Sequence, residues 1–262
     1  MFSVVSWNVN SIGARINAVS ELIPTTSPDI ILLQEVKCIS DAFPYSAQCF
    51  EHYNINVHGQ KGYNGVAILS KQRQEEVIFG IPGFEHEFAA EARYVESLIS
   101  LNSIPVRVIS VYVPNGSEVN SEKFLFKLDF FNALKGRLSY LLSQGENLLV
   151  CGDMNVALDD LDVHDPSYMK DQLCFSIEER KALRSILNLG LYDSFRILNP
   201  HLKKFTWWDY RKNSFQYDRG LRIDYILVSS HLCDMINKCY IEATVRGWER
   251  PSDHAPLFCE FN

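Results

Sequence analysis

Residues 147–155 read NLLVCGDMN, in which a short apolar run leads directly into a turn that carries Asp153 and Asn155. An apolar run of this length beside turn residues predicts a buried strand. A carboxylate next to a buried strand costs free energy unless it is hydrogen-bonded, paired or bound to a metal. The stretch therefore predicts a strand that delivers polar groups to a site at its carboxyl end.

The same pairing of an apolar run with polar residues recurs along the chain, at residues 2–10, 30–35, 106–115, 222–228 and 252–261. Any one of these polar groups is equally well explained as a turn or a helix cap, since Asp and Asn favour both. Turns alone explain the whole set poorly. Strand ends that meet at one edge of a sheet explain it better, because they would build a common site there.

Strand-like and helical segments alternate along the chain. Strands are predicted at residues 2–7, 29–33, 65–69, 106–113, 147–151, 222–228 and 256–261. Helices are predicted over residues 11–22, over 121–142, and from a capping box at 176–179 to a stop at Gly190. Pro24 is expected to end the first helix. Strands mixed with helices predict α/β layers but leave the topology open.

The chain of 262 residues shows no linker or internal repeat, so residues 1–262 are predicted to form a single domain. No apolar run is long enough to cross a membrane, and the N-terminus lacks the basic start of a secretory signal. The seven cysteines form no Cys-x-x-Cys pair, and Cys151 and Cys259 lie in apolar stretches. These features predict a cytoplasmic protein with buried, reduced thiols and no zinc site. The protein is expected to be a monomer.

The net charge of −7 weighs against a polyanionic partner, which usually leaves a basic footprint. Residues 203–222 differ from the acidic chain as a whole, because they are rich in Lys and Arg. These side chains are interleaved with the aromatics Trp207, Trp208, Tyr210 and Phe215. Such a surface can hold a nucleic-acid backbone and stack on its bases. A solvated loop with core aromatics explains the segment equally well.

The polar groups at the strand ends limit the classes of reaction that the site could catalyse. They supply oxygen ligands from Glu35, Asp153 and Asp253, and a histidine, His254, beside a carboxylate. Neither a Gly-x-Ser-x-Gly turn nor a Gly-x-x-x-x-Gly-Lys phosphate loop is present. Carboxylates with carboxamides favour Mg²⁺ or Mn²⁺ over zinc. The set suits metal-assisted hydrolysis at phosphorus, where positioning and charge stabilisation dominate.

Six motifs, taken in order, resemble those of exonuclease III and the apurinic/apyrimidinic endonucleases. They are WNVN (7–10), LQEVK (33–37), GQKGYNGVA (59–67), GDMN (152–155), GLRID (220–224) and PSDHAP (251–256). The resemblance implies a four-layer α/β sandwich of the DNase I type, with two packed mixed β-sheets flanked by helices. It also implies a repair nuclease for double-stranded DNA that cuts 5′ to abasic sites and removes blocked or ordinary 3′ ends in base excision repair.

The resemblance also implies roles for individual residues. Mg²⁺, with Mn²⁺ as a substitute, would be bound among Asn8, Glu35, Asp153, Asn155 and Asp253, with Asn10 close by. The catalytic group would comprise Tyr112, Asp153, Asn155, Asp224 and His254. Asp153 would orient or deprotonate the attacking water, and Asn155 would hold the water or the phosphate. His254, oriented by Asp224, would bind a phosphate oxygen or transfer a proton, and Tyr112 would support the phosphate or the leaving oxygen.

DNA contacts follow from the same resemblance and comprise Lys37, Lys61, Tyr63, Asn115, Trp207, Arg211, Leu221 and Ile223. Three of them, Trp207, Leu221 and Ile223, fall where the family has an apolar pocket for a deoxyribose that lacks its base. Glu118 departs from the family pattern, because it is acidic in a loop that faces the duplex in relatives. This weakens the expectation of strong non-specific duplex binding.

Two other functions fit parts of the pattern. A DNase I-like non-specific nuclease or a phosphatase of inositol phospholipids would share the motifs around Asp224 and Asp253. A catalytically inactive RNA-binding regulator on the same fold would have lost the metal and phosphate ligands, whereas Glu35, Asp153 and His254 are all present. Dependence of activity on a metal separates an enzyme from a binding protein.

Overall fold

The computed structural model describes residues 1–262 and contains two six-stranded β-sheets. The strands of the first sheet are Phe2–Asn8 (β1), Ile30–Gln34 (β2), Asn54–His58 (β3), Val66–Ser70 (β4), Ile236–Ile241 (β11) and Leu257–Phe261 (β12). Those of the second are Gln74–Phe79 (β5), Tyr94–Leu101 (β6), Ile104–Tyr112 (β7), Asn147–Asp153 (β8), Leu191–Asp193 (β9) and Asp224–Ser229 (β10). Their orders are β11-β12-β1-β2-β4-β3 and β5-β6-β7-β8-β10-β9.

The chain also contains six α-helices. They are Ile12–Thr26 (α1), Glu122–Ser143 (α2), Pro166–Met169 (α3), Ile177–Leu187 (α4), Ser194–Leu198 (α5) and Ser230–Cys233 (α6). Buried side chains of β1 and β2, such as Val4 and Leu32, pack against Val108 and Leu149 of the second sheet. Separate apolar clusters join α1 to the first sheet and α2 and α4 to the second. These layers confirm the predicted four-layer sandwich.

Each sheet has one parallel pair near its centre, and this arrangement sets the position of the site. β1 runs parallel to β2, and β7 runs parallel to β8, with Tyr112 opposite Asp153. β10 is antiparallel to β8, so its first residue, Asp224, also lies opposite Asp153. Carboxyl ends of parallel neighbours meet at one edge of a sheet. The polar ends of these strands therefore gather there, as the sequence predicts.

The prediction that Pro24 ends the first helix is wrong, because Pro24 lies within α1, which continues to Thr26. Proline removes one helical hydrogen bond. The last turn is closed in other ways: the hydroxyls of Thr25 and Thr26 donate to main-chain oxygens one turn earlier, and the amide of Ser27 donates to the oxygen of Ile23. The predicted cap at Ser11 and the capping box of Ser176 and Glu179 are present.

The sequence analysis missed five strands, β3, β5, β6, β9 and β11. Four of them, β3, β5, β9 and β11, lie at the edges of the sheets, where one side of the strand has no partner, and β5 has no buried residue. Edge strands bury few side chains, so they lack the apolar run that marks a central strand. The seven cysteines are all free, and Cys151 and Cys259 are buried as predicted. None of the helices combines the length and hydropathy needed to cross a membrane.

Candidate active site

The polar strand ends line a single cavity of 470 Å³ at the edge where the two sheets meet. The first sheet contributes Glu35, just after β2, and the second contributes Tyr112 and Asp153. The segment before β12 adds Asp253 and His254. Gln34 ties the sheets together beneath the cavity, because its amide donates to the hydroxyls of Ser6 (3.3 Å) and Ser110 (3.2 Å). The site therefore forms only when the two sheets pack against each other.

The side chain of Asn8, at the end of β1, holds two carboxylates. Its amide nitrogen donates to Glu35 Oε1 (2.8 Å) and to Asp153 Oδ2 (3.0 Å). Its amide oxygen accepts from the main-chain N–H of Asn10 (3.0 Å), which fixes the orientation of the amide. Asn8 is completely buried, and its amide nitrogen is directed at these two carboxylates. A direct metal bond from the Asn8 oxygen would need the amide to turn over, and the role of Asn8 as a metal ligand stays a prediction.

Glu35, Asp153 and His254 bring one ligand atom each to within 4.8 Å of one another. Glu35 has a φ of +51°, a left-handed backbone conformation that a non-glycine residue rarely adopts. Lys37 offsets part of the negative charge, because its ammonium lies 2.8 Å from Glu35 Oε2. Strained backbone at a site is characteristic of residues held for function. The two carboxylates of this cluster, Glu35 and Asp153, are the part of the site best suited to bind a cation.

Asp153 is buried, and its neighbours leave it poised between two charge states. Its Oδ1 accepts from the main-chain N–H of Asn155 (2.8 Å), and its Oδ2 lies 3.6 Å from His254 Nε2. Burial raises the pKa of Asp153, and the positive charge of His254 opposes that rise, so the pKa reaches about 7. A bound divalent cation would lower it, since positive charge favours the carboxylate. Asp153 is therefore able to exchange a proton near neutral pH.

His254 forms a buried pair with Asp224, as predicted. Its Nδ1 lies 2.9 Å from Asp224 Oδ2, which leaves Nε2 directed toward Asp153. Burial would lower the pKa of His254, but the charges of Asp224 and Asp153 outweigh burial and raise it to about 10. The ring is thus an imidazolium at neutral pH. An imidazolium at this point can stabilise negative charge on a phosphoryl oxygen.

The carboxamide of Asn155 is held on both sides. Its nitrogen donates to the main-chain oxygen of Val113 (2.9 Å), and its oxygen accepts from the Asn115 amide (3.1 Å). Asn155 also has a left-handed backbone, with a φ of +51°. The side chain of Tyr112 lines the same cavity. Burial and the charges of Glu35 and Asp153 raise the pKa of Tyr112 well above its usual value, so its hydroxyl keeps its proton.

Asp253 lines the cavity but lies outside the cluster of Glu35, Asp153 and His254. Its two oxygens accept from the indole N–H of Trp207 (2.9 Å) and the amide of Asn10 (2.9 Å). Burial raises the pKa of Asp253, but the charge of His254 and these hydrogen bonds outweigh it and hold the pKa below its usual range. The side chain of Asn10 also accepts from Lys37 (2.5 Å). Asp253 therefore fixes Trp207 and Asn10 around the cavity.

One wall of the cavity is apolar. Trp207, Leu221 and Ile223, which the sequence assigns to a sugar pocket, lie together there. Three further residues complete the wall and were missed from the sequence: Met169, Leu173 and Cys174. They belong to none of the motifs and reach the wall through contacts with residues about fifty positions later in the chain. No local pattern would have identified them.

The predicted DNA contacts differ in their exposure. Tyr63 is 73% exposed, and Lys61 and Arg211 also face solvent. Arg211 is paired with Asp209 at 2.6 Å, and Lys37 turns inward to Glu35. The segment 203–222 is only partly a basic-aromatic surface, since Trp208 is buried in the core and Arg222 is 1% exposed. Arg222 is buried because it pairs with Asp162 and Asp193.

The sequence profile of the Endonuclease/Exonuclease/phosphatase family matches residues 5–254. The chain belongs to this family. It is similar to exodeoxyribonuclease III of Haemophilus influenzae, with 36% identity over 98% of each chain. It is also similar to an exodeoxyribonuclease of Bacillus subtilis, with 35% identity over 97% of each. The resemblance that the six motifs indicate is confirmed.

Solved structures of family members match over the whole chain. A Neisseria 3′ phosphatase bound to a product DNA hairpin has a TM-score of 0.94 at 36% identity, covering 100% of both chains. An AP endonuclease of Archaeoglobus fulgidus has a TM-score of 0.92 at 35% identity, again covering 100% of both. The likeness of these family structures extends to both sheets and their flanking helices.

Proposed function

We propose that the protein is a Mg²⁺-dependent DNA phosphodiesterase of the exonuclease III type. It degrades duplex DNA from the 3′ end, processes blocked 3′ ends and incises 5′ to abasic sites in base excision repair. The observation that carries the proposal is the convergence of Glu35, Asp153 and His254 within 4.8 Å in the cavity. The relatives named exodeoxyribonuclease III and AP endonuclease, which match the chain over nearly its full length, support the DNA substrate.

The residues present fit a divalent cation. Glu35, Asp153 and Asp253 concentrate negative charge in a cavity that has to admit a phosphate, and Lys37 and His254 offset only part of it. Glu35 and Asp153 would hold the ion, with Asn155 and Asp253 beside it, and their oxygens suit Mg²⁺, or Mn²⁺ as a substitute. Such an ion supplies positive charge that offsets the phosphate and the charge developing on it.

Side chains of the protein carry out proton transfer, charge stabilisation and positioning of the reacting groups. Asp153, whose carboxylate form a bound cation would favour, orients the attacking water and takes its proton. His254, held through Nδ1 by Asp224, donates from Nε2 to a phosphoryl oxygen and stabilises its charge. Tyr112 keeps its phenolic proton and donates to the phosphate or the leaving oxygen. Asn155, fixed by Asn115, positions the water or the phosphate.

The apolar wall supports the choice of an abasic or 3′-terminal nucleotide. A deoxyribose without its base fits against Trp207, Leu221 and Ile223, whereas a stacked nucleotide would first have to leave the helix. Lys61, Tyr63 and Arg211 reach the flanking DNA. We also propose a single domain over residues 1–262, since both sheets contribute to this one cavity, and a monomeric protein. Seven free cysteines fit a reducing compartment, and we place the protein in the cytoplasm.

A gel assay tests the proposal. The purified protein is incubated with a 5′-labelled duplex that carries one central abasic site and, separately, with an intact duplex, each with Mg²⁺ or with EDTA. We expect incision at the abasic site and shortening from the 3′ end of the intact strand, both only with Mg²⁺. Cleavage of neither duplex would overturn the nuclease assignment and leave a phosphatase or a DNA-binding protein to be tested.

Glu35→Ala is expected to weaken Mg²⁺ binding more than it weakens DNA binding. Loss of a residue that only supports a metal ligand usually costs 10- to 100-fold in affinity, so removal of the ligand itself should cost at least about as much. Calorimetric titration with Mg²⁺ alone measures this loss without reference to activity, and high Mg²⁺ should partly restore cleavage. Glu21→Ala, an exposed carboxylate in α1, is the matched control. Unchanged Mg²⁺ affinity in Glu35→Ala would remove Glu35 from the metal site.

A further inference from the structure

Lys127 of α2 is a fully buried lysine that lies outside the cavity but contacts two of its loops. Its ammonium donates to the main-chain oxygens of Asn155 (2.8 Å) and Asn115 (3.1 Å) and to the carboxylate of Glu179. The three acceptors use all three protons of the ammonium. Lys127 therefore links the loop after β7 to the loop after β8, the two loops that carry these asparagines.

Glu179 of α4 extends the same network to a third loop. Its Oε1 accepts from Lys127 and from the main-chain N–H of Cys174 (3.1 Å). Its Oε2 accepts from the main-chain N–H (3.1 Å) and the hydroxyl (2.6 Å) of Ser176. Both partners of this ion pair are completely buried. The pair thus fixes three cavity-lining segments to one another from behind.

Two features of the backbone depend on this arrangement. Asn155 sits in a left-handed conformation at a φ of +51°, and the bond from Lys127 to its carbonyl helps to hold that conformation. Gly116, at a φ of +96°, makes room for the lysine, since a Cβ there would lie 3.2 Å from the Lys127 Cδ atom. A buried ion pair is weak evidence for stability, because apolar residues often replace one without loss. A positioning role explains its presence better.

We infer that Lys127 and Glu179 act as a positioning pair that sets the carboxamides of Asn155 and Asn115 for catalysis. Neither residue touches the substrate. The inference rests on the proposed function and goes beyond it, since it assigns a catalytic positioning role to two residues outside the six motifs. Displacing a group in the active site by about 1 Å can lower the rate by about 100-fold. Loss of the pair therefore needs to displace Asn155 only slightly to lower kcat measurably.

The first test removes both charges together with Lys127→Met/Glu179→Gln. We expect kcat on the abasic duplex to fall about 10- to 100-fold, the range for a group that supports an active-site residue, while KM stays within about twofold. The matched control, Arg137→Met/Glu96→Gln, removes another buried ion pair of α2, roughly 15 Å further along the helix. In this control, kcat per folded molecule should stay at the wild-type value.

A double-mutant cycle separates positioning from structural support. If the pair acts through Asn155, its removal should lower kcat in the wild-type background but have little further effect in Asn155→Ala. A merely structural pair would lower activity by the same factor in both backgrounds. Lys127→Arg, which keeps the charge, covers the case in which the neutral variant fails to fold. Its planar guanidinium cannot reproduce three tetrahedral donors, so kcat should fall with KM unchanged.

The wild-type reaction separates the two hypotheses. If the wild-type protein cuts neither duplex in Mg²⁺, the proposed function fails, and this inference fails with it. If the wild-type protein cuts and a folded Lys127→Met/Glu179→Gln or Lys127→Arg variant has the wild-type kcat, only the positioning role is overturned. An equal fold-loss of kcat in the wild-type and Asn155→Ala backgrounds would also overturn the positioning role.

Discussion

Asp153→Asn is expected to keep DNA binding and to lose turnover by about two to four orders of magnitude, the usual contribution of a general acid–base group. The asparagine can still accept the N–H of Asn155 through its remaining oxygen, so the loop should keep its shape. It can no longer take a proton from water or balance the charge of His254. Single-turnover cleavage of the abasic duplex measures the rate, and fluorescence anisotropy of the same duplex measures binding.

The matched control for this prediction is Asp234→Asn, which neutralises an exposed carboxylate beyond α6, outside the cavity. It should leave both rate and affinity unchanged. Near-wild-type turnover in Asp153→Asn would refute the role of Asp153 as the base. A parallel loss of DNA affinity would instead indicate that the carboxylate contributes to binding through the metal.

Arg222→Met is expected to destabilise the fold by about 3–5 kcal/mol, the usual cost of breaking a buried ion pair from one side. The Arg222 guanidinium lies 2.7 Å from Asp162 and 2.8 Å from Asp193, and all three side chains are buried. Methionine fills much of the same space but leaves Asp193 without its charge partner. Urea denaturation measures the free energy of unfolding, and Tm should fall by roughly 10 °C.

Lys204→Met is the control for Arg222→Met, because Lys204 lies in the same segment but is exposed. Exposed substitutions of this kind usually change stability by less than about 0.5 kcal/mol. A loss below about 1 kcal/mol in Arg222→Met would show that Arg196, which lies 2.5 Å from Asp162, suffices to neutralise this cluster.

The sequence was most informative where a strand end carries its own chemistry. Apolar runs that lead into Glu35 and Asp153 predicted both a buried strand and a polar group beside it, and the structure confirms that these groups share a cavity. Their chemical roles remain predictions. The same reasoning worked for Asp224 and His254, because each stands in a short motif beside a strand.

Sequence reasoning was weaker where a long-range contact decides the outcome. Arg222 was grouped with surface cations because it ends a segment rich in Lys and Arg, whereas its partners Asp162 and Asp193 lie 60 and 29 positions away. Lys127 was not recognised for the same reason, since it is one lysine within an amphipathic helix. Pro24 was predicted to end α1 because the sequence pattern does not reveal that the hydroxyls of Thr25 and Thr26 close the last helical turn.

The order of the strands has a consequence for the newly made chain. The first sheet begins with β1 but closes only when β12 pairs with it, after the whole second sheet has been synthesised. The segment just before β12 brings His254, whose main-chain oxygen accepts the indole N–H of Trp7. A chain still emerging from the ribosome therefore carries Asp153 without its imidazolium partner. The cavity therefore gains its imidazolium only once the segment before β12 has been made and β12 has paired with β1.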